Sequence, residues 1–264
     1  VSPTPQQPWS SALVTGASAG IGDAFARQLA AAGTDLVLVA RRAERLEQLA
    51  EELRAGGVEV DVVAADLTDR ADVGRVAERL TDADRPVDLL VNCAGLGAAG
   101  PFADGDLDRY HQIVDLNVTA LVDLTHAALG AMQARDRGWI LNVSSLGGHA
   151  PGPKFAVYSA TKAFVTSFSE SLFEELRGTR VHVTVVCPGA TKTEFGAIAG
   201  TEADDLPALL QQSADEVVAE ALAATAAGKA VKVTGVINRV SATFSDLLPR
   251  VANRRLSALV TDRL

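Results

Sequence analysis

Short, continuously apolar runs recur through most of this chain, and they restrict its fold more than any other feature. They are Ser11-Ala12-Leu13-Val14-Thr15, Leu36–Ala40, Val58–Ala64, Val87–Asn92, Trp139–Val143 and Val181–Val186. Most lack the polar alternation of a half-exposed strand, and all are too short for a buried helix. Helical segments separate them: Asp23 to Ala32, closed by Gly33; Ala43 to about Ala55, stopped by Gly56-Gly57; and Asp69 to Thr81. Two longer ones follow, from about Asp106 to Arg135 with a break near Asp115, and from Phe155 to Arg177, ended by Gly178. Strands apolar on both faces need helices on both faces, which means a parallel sheet. Right-handed crossovers then make the fold α/β and doubly wound.

With 264 residues and 48% hydrophobic composition, one large domain buries its core better than two small ones. We expect a disordered lead-in over 1–10, where three prolines fall in the first eight residues, a main domain over 11–235, and an appended segment over 236–264. The net charge of −9 argues against nucleic acid as a partner, because phosphate neutralisation needs a basic face. The chain has two cysteines, Cys93 and Cys187. They end strands separated by another strand, roughly 9–10 Å apart, beyond disulfide reach. Reduced thiols and a cytoplasmic location are the expectation. Four scattered histidines show no metal-ligand spacing, so no metal is expected. No uninterrupted apolar run is long enough to predict a membrane span, and the first residues lack the regions of a signal peptide.

The turn after the first strand reads Gly16-Ala17-Ser18-Ala19-Gly20-Ile21-Gly22. Glycines there let the backbone approach a pyrophosphate, and the helix that follows offers free N–H groups. Gly16, Ser18, Gly20, Ile21 and Gly22 are therefore candidate cofactor contacts. The end of the second strand selects the dinucleotide. An acid there binds the ribose 2′-hydroxyl of NAD, but this chain has Ala40-Arg41-Arg42. Guanidinium forks at Arg41 and Arg42 suit a 2′-phosphate, hence NADP(H). Asp66-Leu67 could receive the adenine amino group; equally, Asp66 could cap the next helix with Thr68. Asn92, Ala94 and Gly95 end the fourth strand, where small residues let the chain pass beneath a ligand.

Tyr158 and Lys162 lie four residues apart, one helical turn, on one face. A free phenol titrates near pH ~10. A neighbouring ammonium favours the phenolate and is expected to lower that value toward the working range.

Together, TGASAGIG (Thr15–Gly22), NCAG (Asn92–Gly95), Asn117 within DLNVTA, Ser144-Ser145, YSATK (Tyr158–Lys162) and PGATKT (Pro188–Thr193) resemble the short-chain dehydrogenase/reductase family over roughly residues 11–235. The resemblance implies a three-layer Rossmann fold with a seven-stranded, mostly parallel sheet. It implies Tyr158 as proton donor in carbonyl reduction, or base in alcohol oxidation, and Ser145, rather than Ser144, as hydrogen-bond donor to the substrate oxygen. Lys162 would also bind the nicotinamide ribose, and Asn117 would hold a water that relays protons. Pro188-Gly189 would pass beside the nicotinamide, with Thr193, and less strongly Thr191, on its carboxamide or the pyrophosphate. A homodimer or homotetramer is implied, formed through the two long helices.

The stretch 190–213, with Phe195, Ile198, Leu206, Leu209 and Leu210, corresponds to a substrate lid and points to a mostly apolar, small or lipid-like carbonyl or alcohol. In the tail, Ile237, Val240, Phe244, Leu247, Leu248 and Val251 form an amphipathic stripe, broken by Pro249, with five arginines against two aspartates. Packing on its own domain or on a second copy is the expectation; a lid over a long-chain pocket and contact with an anionic membrane surface are the alternatives. A non-catalytic NADP(H)-sensing or scaffold protein is the alternative function, but no catalytic residue is lost to favour it. An epimerase or dehydratase ranks last, since those relatives need a larger substrate domain.

Overall fold

The computed structural model describes residues 7–200 and 211–261. Its first half alternates β1 (Ser11–Thr15), α1 (Gly20–Ala31), β2 (Asp35–Ala40), α2 (Ala43–Arg54), β3 (Val60–Ala64), α3 (Arg70–Thr81) and β4 (Leu89–Asn92). Then come α4 (Leu107–Val114), a π-turn (Asp115–Ala120), α5 (Leu121–Ala134), β5 (Gly138–Val143), α6 (Ala156–Glu175) and β6 (Val181–Cys187). The remainder comprises β7 (Ala190–Thr191), α7 (Phe195–Ala199), β8 (Gln211–Gln212), α8 (Ala214–Ala226), β9 (Val231–Val233), α9 (Val236–Leu247) and α10 (Arg250–Thr261).

The main sheet has seven strands in the order β3-β2-β1-β4-β5-β6-β9, and every pair is parallel. Successive residues of a strand point to opposite faces. Val14 joins a core with Phe25, Leu29, Leu46, Leu49, Val218 and Leu222, while its neighbour Leu13 joins one with Val76, Leu80, Leu124 and Met132 on the other face. Helices α1, α2 and α8 thus cover one side, and α3 and α5 the other. The strand order reverses between β1 and β4, and there the carboxyl ends leave a crevice, the usual place for a ligand in such a sheet. β5 separates the strands of Cys93 and Cys187, and both thiols are free.

The seventh strand, counted but not placed from the sequence, is β9. It follows α8, whose start is a capping box between Ser213 and Glu216. The expected break near Asp115 is the π-turn, in which one extra residue per turn shifts the helix face. The stretch Leu107–Ala134 is long and apolar enough to cross a membrane by composition. Its apolar side (Ile113, Ala120, Leu124, Ala128, Met132) is instead buried in the protein.

Two expectations need correction. The lead-in is ordered before residue 11. Trp9 is 4% exposed and packs edge-on against Trp139 at 5.8 Å, because a large indole outweighs a flanking proline. Residues 1–6 lie outside the described residues. Of the two packings expected for the tail's apolar stripe, the one on its own domain is overturned: Val236, Val240, Phe244 and Leu247 are 67, 66, 56 and 80% exposed. The inward side of α9 carries Asn238 and Ala242 instead.

Candidate active site

The turn from β1 into α1 is shaped to receive an anion. Gly16 and Gly20 have φ of +72° and +58°, a region other residues adopt at a cost. A Cβ on Gly16 would stand 3.0 Å from Ala94, and one on Gly22 would collide with the Gly16 carbonyl. No side chain caps the N-terminus of α1, so its first N–H groups are left for a ligand. Thr15, buried at the end of β1, positions the facing strand: its Oγ1 accepts hydrogen bonds from Cys93 N (2.9 Å) and Ala94 N (3.0 Å).

The turn opens onto a cavity of about 690 Å³. At one end of it, Arg42 donates to Ser18 Oγ and to the Ser18 carbonyl, both at 3.1 Å. Arg41 stands 3.9 Å from Asp66. Asp66 also accepts from Thr68 N (3.0 Å) and Thr68 Oγ1 (2.8 Å), forming a local turn, while the cap of α3 is Asp69. Asp66 and Leu67 both line the cavity, so the alternative in which Asp66 and Thr68 cap the helix gives way.

At the other end, Ser145 follows β5 and faces Tyr158, whose ionisation it favours. The Ser145 Oγ accepts from Gly147 N at 3.1 Å. Lys162 is buried, donates to the Val143 carbonyl at 2.8 Å, and sits 5.9 Å from the centroid of the Tyr158 ring. Burial pulls the Lys162 pKa down to about 8. Burial also pushes the Tyr158 phenol above its ordinary value, opposed by the Ser145 hydroxyl. The expected acidification of Tyr158 by Lys162 is therefore corrected. Desolvation dominates, and the nitrogen is held by a backbone carbonyl.

Asn117 lies in the π-turn, fully buried. Its amide donates to the Leu96 carbonyl (2.9 Å) and Thr161 Oγ1 (3.0 Å), and its Oδ1 accepts from Leu96 N (2.9 Å). Gly95 keeps space between the two polar groups: a Cβ there would be 3.5 Å from Asn117 Oδ1 and 3.6 Å from Lys162 Nζ.

Of the sequence-derived candidates, Gly16, Ser18, Gly20, Ile21, Gly22, Arg41, Arg42, Asp66, Leu67, Ala94, Gly95, Ser145, Tyr158, Lys162, Pro188, Gly189, Thr191 and Thr193 all line this one cavity. Asn92 and Asn117 do not: Asn117 lies buried behind Gly95 and Leu96, and the expected cofactor contact of Asn92 is corrected. The Asn92 amide turns into the core, donating to Asn142 Oδ1 (2.9 Å) and Thr125 Oγ1 (3.1 Å). A strand's terminal side chain alternates faces, and Asn92 falls on the inner one. Unanticipated lining residues include Leu96, Phe155 and Glu194. Phe195 stacks obliquely on Tyr158 with ring centroids 5.3 Å apart. Ser144 is structural, donating to the Lys162 carbonyl at 2.7 Å. Within the stretch expected to form a lid, β7 pairs in parallel with β8; Leu206, Leu209 and Leu210 lie outside the described residues.

A glycine cradle at the switch point, joined by one cavity to a Ser–Tyr–Lys group, defines a dinucleotide-dependent oxidoreductase. Residues 10–203 match the family described as short chain dehydrogenase, and the chain belongs to that family. Sulfoacetaldehyde reductase 2 of Chromohalobacter salexigens is 44% identical over 185 residues, 69% of this chain and 73% of that protein. A short-chain dehydrogenase from Sphingobium yanoikuyae in complex with NADPH superposes with a TM-score of 0.82 at 37% identity, covering 89% of this chain and 91% of that one. One from Burkholderia phymatum in complex with NAD gives 0.80 at 25% identity, covering 91% and 94%. The protein is thus an oxidoreductase acting between alcohol and carbonyl with a nicotinamide cofactor.

Proposed function

We propose that this protein is an NADP(H)-dependent carbonyl reductase for mostly apolar substrates, with Tyr158 as its proton donor. The convergence of Ser145, Tyr158 and Lys162 at one end of a cavity whose other end carries Arg41 and Arg42 is the observation that carries this reading. The turn Gly16–Gly22 would hold the pyrophosphate, Arg41, Arg42 and Ser18 the 2′-phosphate, Lys162 the nicotinamide ribose, and Pro188, Gly189 and Thr193 the nicotinamide side. When bound, the cofactor supplies the hydride donor or acceptor.

The protein's part is to hold the carbonyl and deliver a proton. Ser145 Oγ–H points at the oxygen on which negative charge develops and stabilises it. Tyr158, kept neutral by burial, is ready as an acid at neutral pH and donates its phenolic proton to that oxygen. Lys162, largely protonated below about pH 8, would hold the nicotinamide ribose beside that tyrosine. A water held between Lys162 and Asn117 would reprotonate Tyr158. Leu96, Leu146, Phe155 and Phe195 line the substrate side, which favours an apolar carbonyl compound. The exposed Phe102, Val114 and Phe164, on or beside α4 and α6, form the surface through which two copies pair.

With NADPH and a panel of apolar ketones and aldehydes, Tyr158→Phe is expected to lower kcat by about 10²–10⁴-fold while cofactor affinity, read by fluorescence titration, stays the same. Full turnover in this variant would sink the mechanism. Arg41→Ala is expected to weaken NADPH by roughly tenfold and NADH hardly at all; equal losses would refute the 2′-phosphate role.

A further inference from the structure

The cavity contains one charged group that the reaction does not use. Glu194 lies at the start of the lid, directly before α7. Its carboxylate accepts from Arg42 Nη1 at 2.9 Å and from Arg45 Nη1 at 2.8 Å. Both guanidinium groups hold the carboxyl below its ordinary pKa. Arg42 is meanwhile bound to Ser18 Oγ and the Ser18 carbonyl, on the turn that opens the adenosine end. An anion of the protein thus already occupies the cation expected to read the anion of the cofactor.

We propose that Glu194 is a specificity-determining residue: its carboxylate stands in for the cofactor's 2′-phosphate between Arg42 and Arg45, and a phosphorylated dinucleotide must displace it. The inference rests on the NADP(H) reading above. A dianionic phosphate carries more charge and more acceptor oxygens than a carboxylate, so it wins Arg42. Glu194 can retain Arg45. A dinucleotide with a bare 2′-hydroxyl has nothing to exchange and leaves the pair intact. The carboxylate therefore selectively weakens the phosphorylated cofactor.

The position of Glu194 also links the two ends of the cavity. Its neighbour Phe195 packs on Tyr158, and a Cβ on Gly97 would press on the Phe195 ring at 2.8 Å. Thr193, on the other side, is the first contact of the Gly20 position.

The test is titration calorimetry of the full chain with adenosine 2′,5′-bisphosphate and with 5′-AMP, for the wild type, Glu194→Gln and Arg42→Ala. These fragments read the adenosine end without turnover. Glu194→Gln is expected to bind the bisphosphate ~3–10-fold more tightly at low ionic strength, with 5′-AMP changed less than about twofold, since both arginines are partly solvent-exposed. The gain should shrink in ~0.5 M salt, where exposed charges are screened. Arg42→Ala should weaken the bisphosphate and abolish the effect of a second Glu194→Gln change. An unchanged or weaker bisphosphate affinity in Glu194→Gln would overturn the proposal, as would a gain that salt leaves intact. If the wild type binds both fragments equally, the NADP(H) reading falls. The role of Glu194 then survives only if Glu194→Gln separates them.

Discussion

Helices α6 and α9 carry opposite lessons about what an amphipathic pattern means. On α6 the buried residues are mostly polar: Ser159, Thr161, Lys162 and Ser169 sit inside with Val165. Their partners are close at hand. Lys162 reaches the Val143 carbonyl, Thr161 meets Asn117, and Ser169 joins Asn142. On α9 the apolar stripe is far cleaner, yet it is solvated, and the buried positions are Asn238 and Ala242. Asn238 donates to the Thr234 carbonyl at 2.9 Å and fills the space above Gly189, where a Cβ would collide with it. A stripe therefore states what a helix could bury. Position relative to the sheet decides what it does bury: α6 lies over β5 and β6, whereas α9 follows the edge strand β9 and meets the body chiefly through its polar side.

The contrast is sharpest at Lys162. Lys162→Met keeps the volume of the buried stem and removes the charge. Turnover should fall by about 10²-fold or more, while stability at pH 7 stays the same or rises by about 1–2 kcal/mol, because no desolvated charge remains. Chemical denaturation across pH checks the second half. In the native protein Lys162 titrates near 8 rather than 10.5, so above pH 8 the unfolded chain binds more protons than the folded one, and stability rises with pH. The thiols act oppositely: burial raises Cys187 from 9.0 to about 11 and Cys93 from 9.0 to about 12. Above pH 9 the unfolded thiols lose protons first and stability falls. A maximum near pH 9 is expected, preceded by a net gain of only a few tenths of a kcal/mol between pH 8 and 9, because the two thiols offset most of the roughly 1 kcal/mol contributed by the lysine. Lys162→Met should erase that gain; if the rise persists, another group causes it.

A smaller effect is expected at the inward side of α9. Asn238→Ala removes a buried donor and should cost about 1–2 kcal/mol, with a rise in KM as the Pro188-Gly189 segment loses its support. No loss would mean that α9 detaches in solution. The smallest effect belongs to the outward side. Leu247→Ser should change stability by less than about 0.5 kcal/mol. A loss above about 1 kcal/mol, or a change in mass by light scattering, would show that something covers this face in solution.

Much of the site was legible because its chemistry follows chain order. Residues that must meet a phosphate sit on the turn after β1, and residues that must meet each other one helical turn apart sit on α6. Two failures have a common cause. Its place at a strand end suggests a cofactor contact for Asn92, but a strand end exposes one face and buries the other, and the periodicity there is too short to say which. Glu194 was passed over because nothing in TKTEF distinguishes it from a solvated acid. Its partners Arg42 and Arg45 are about 150 residues away, and only folding brings them together.

The sequence alone determined the parallel sheet, the glycine cradle, the arginines after β2 and the pairing of Tyr158 with Lys162, since each depends on local backbone geometry or on hydrophobic period. The tertiary structure decided the ionisation of that pair, the outward turn of α9 and the hold of Glu194 on Arg42. Those depend on how much water is excluded and on which distant charges are drawn close, and neither is encoded within one turn or one strand.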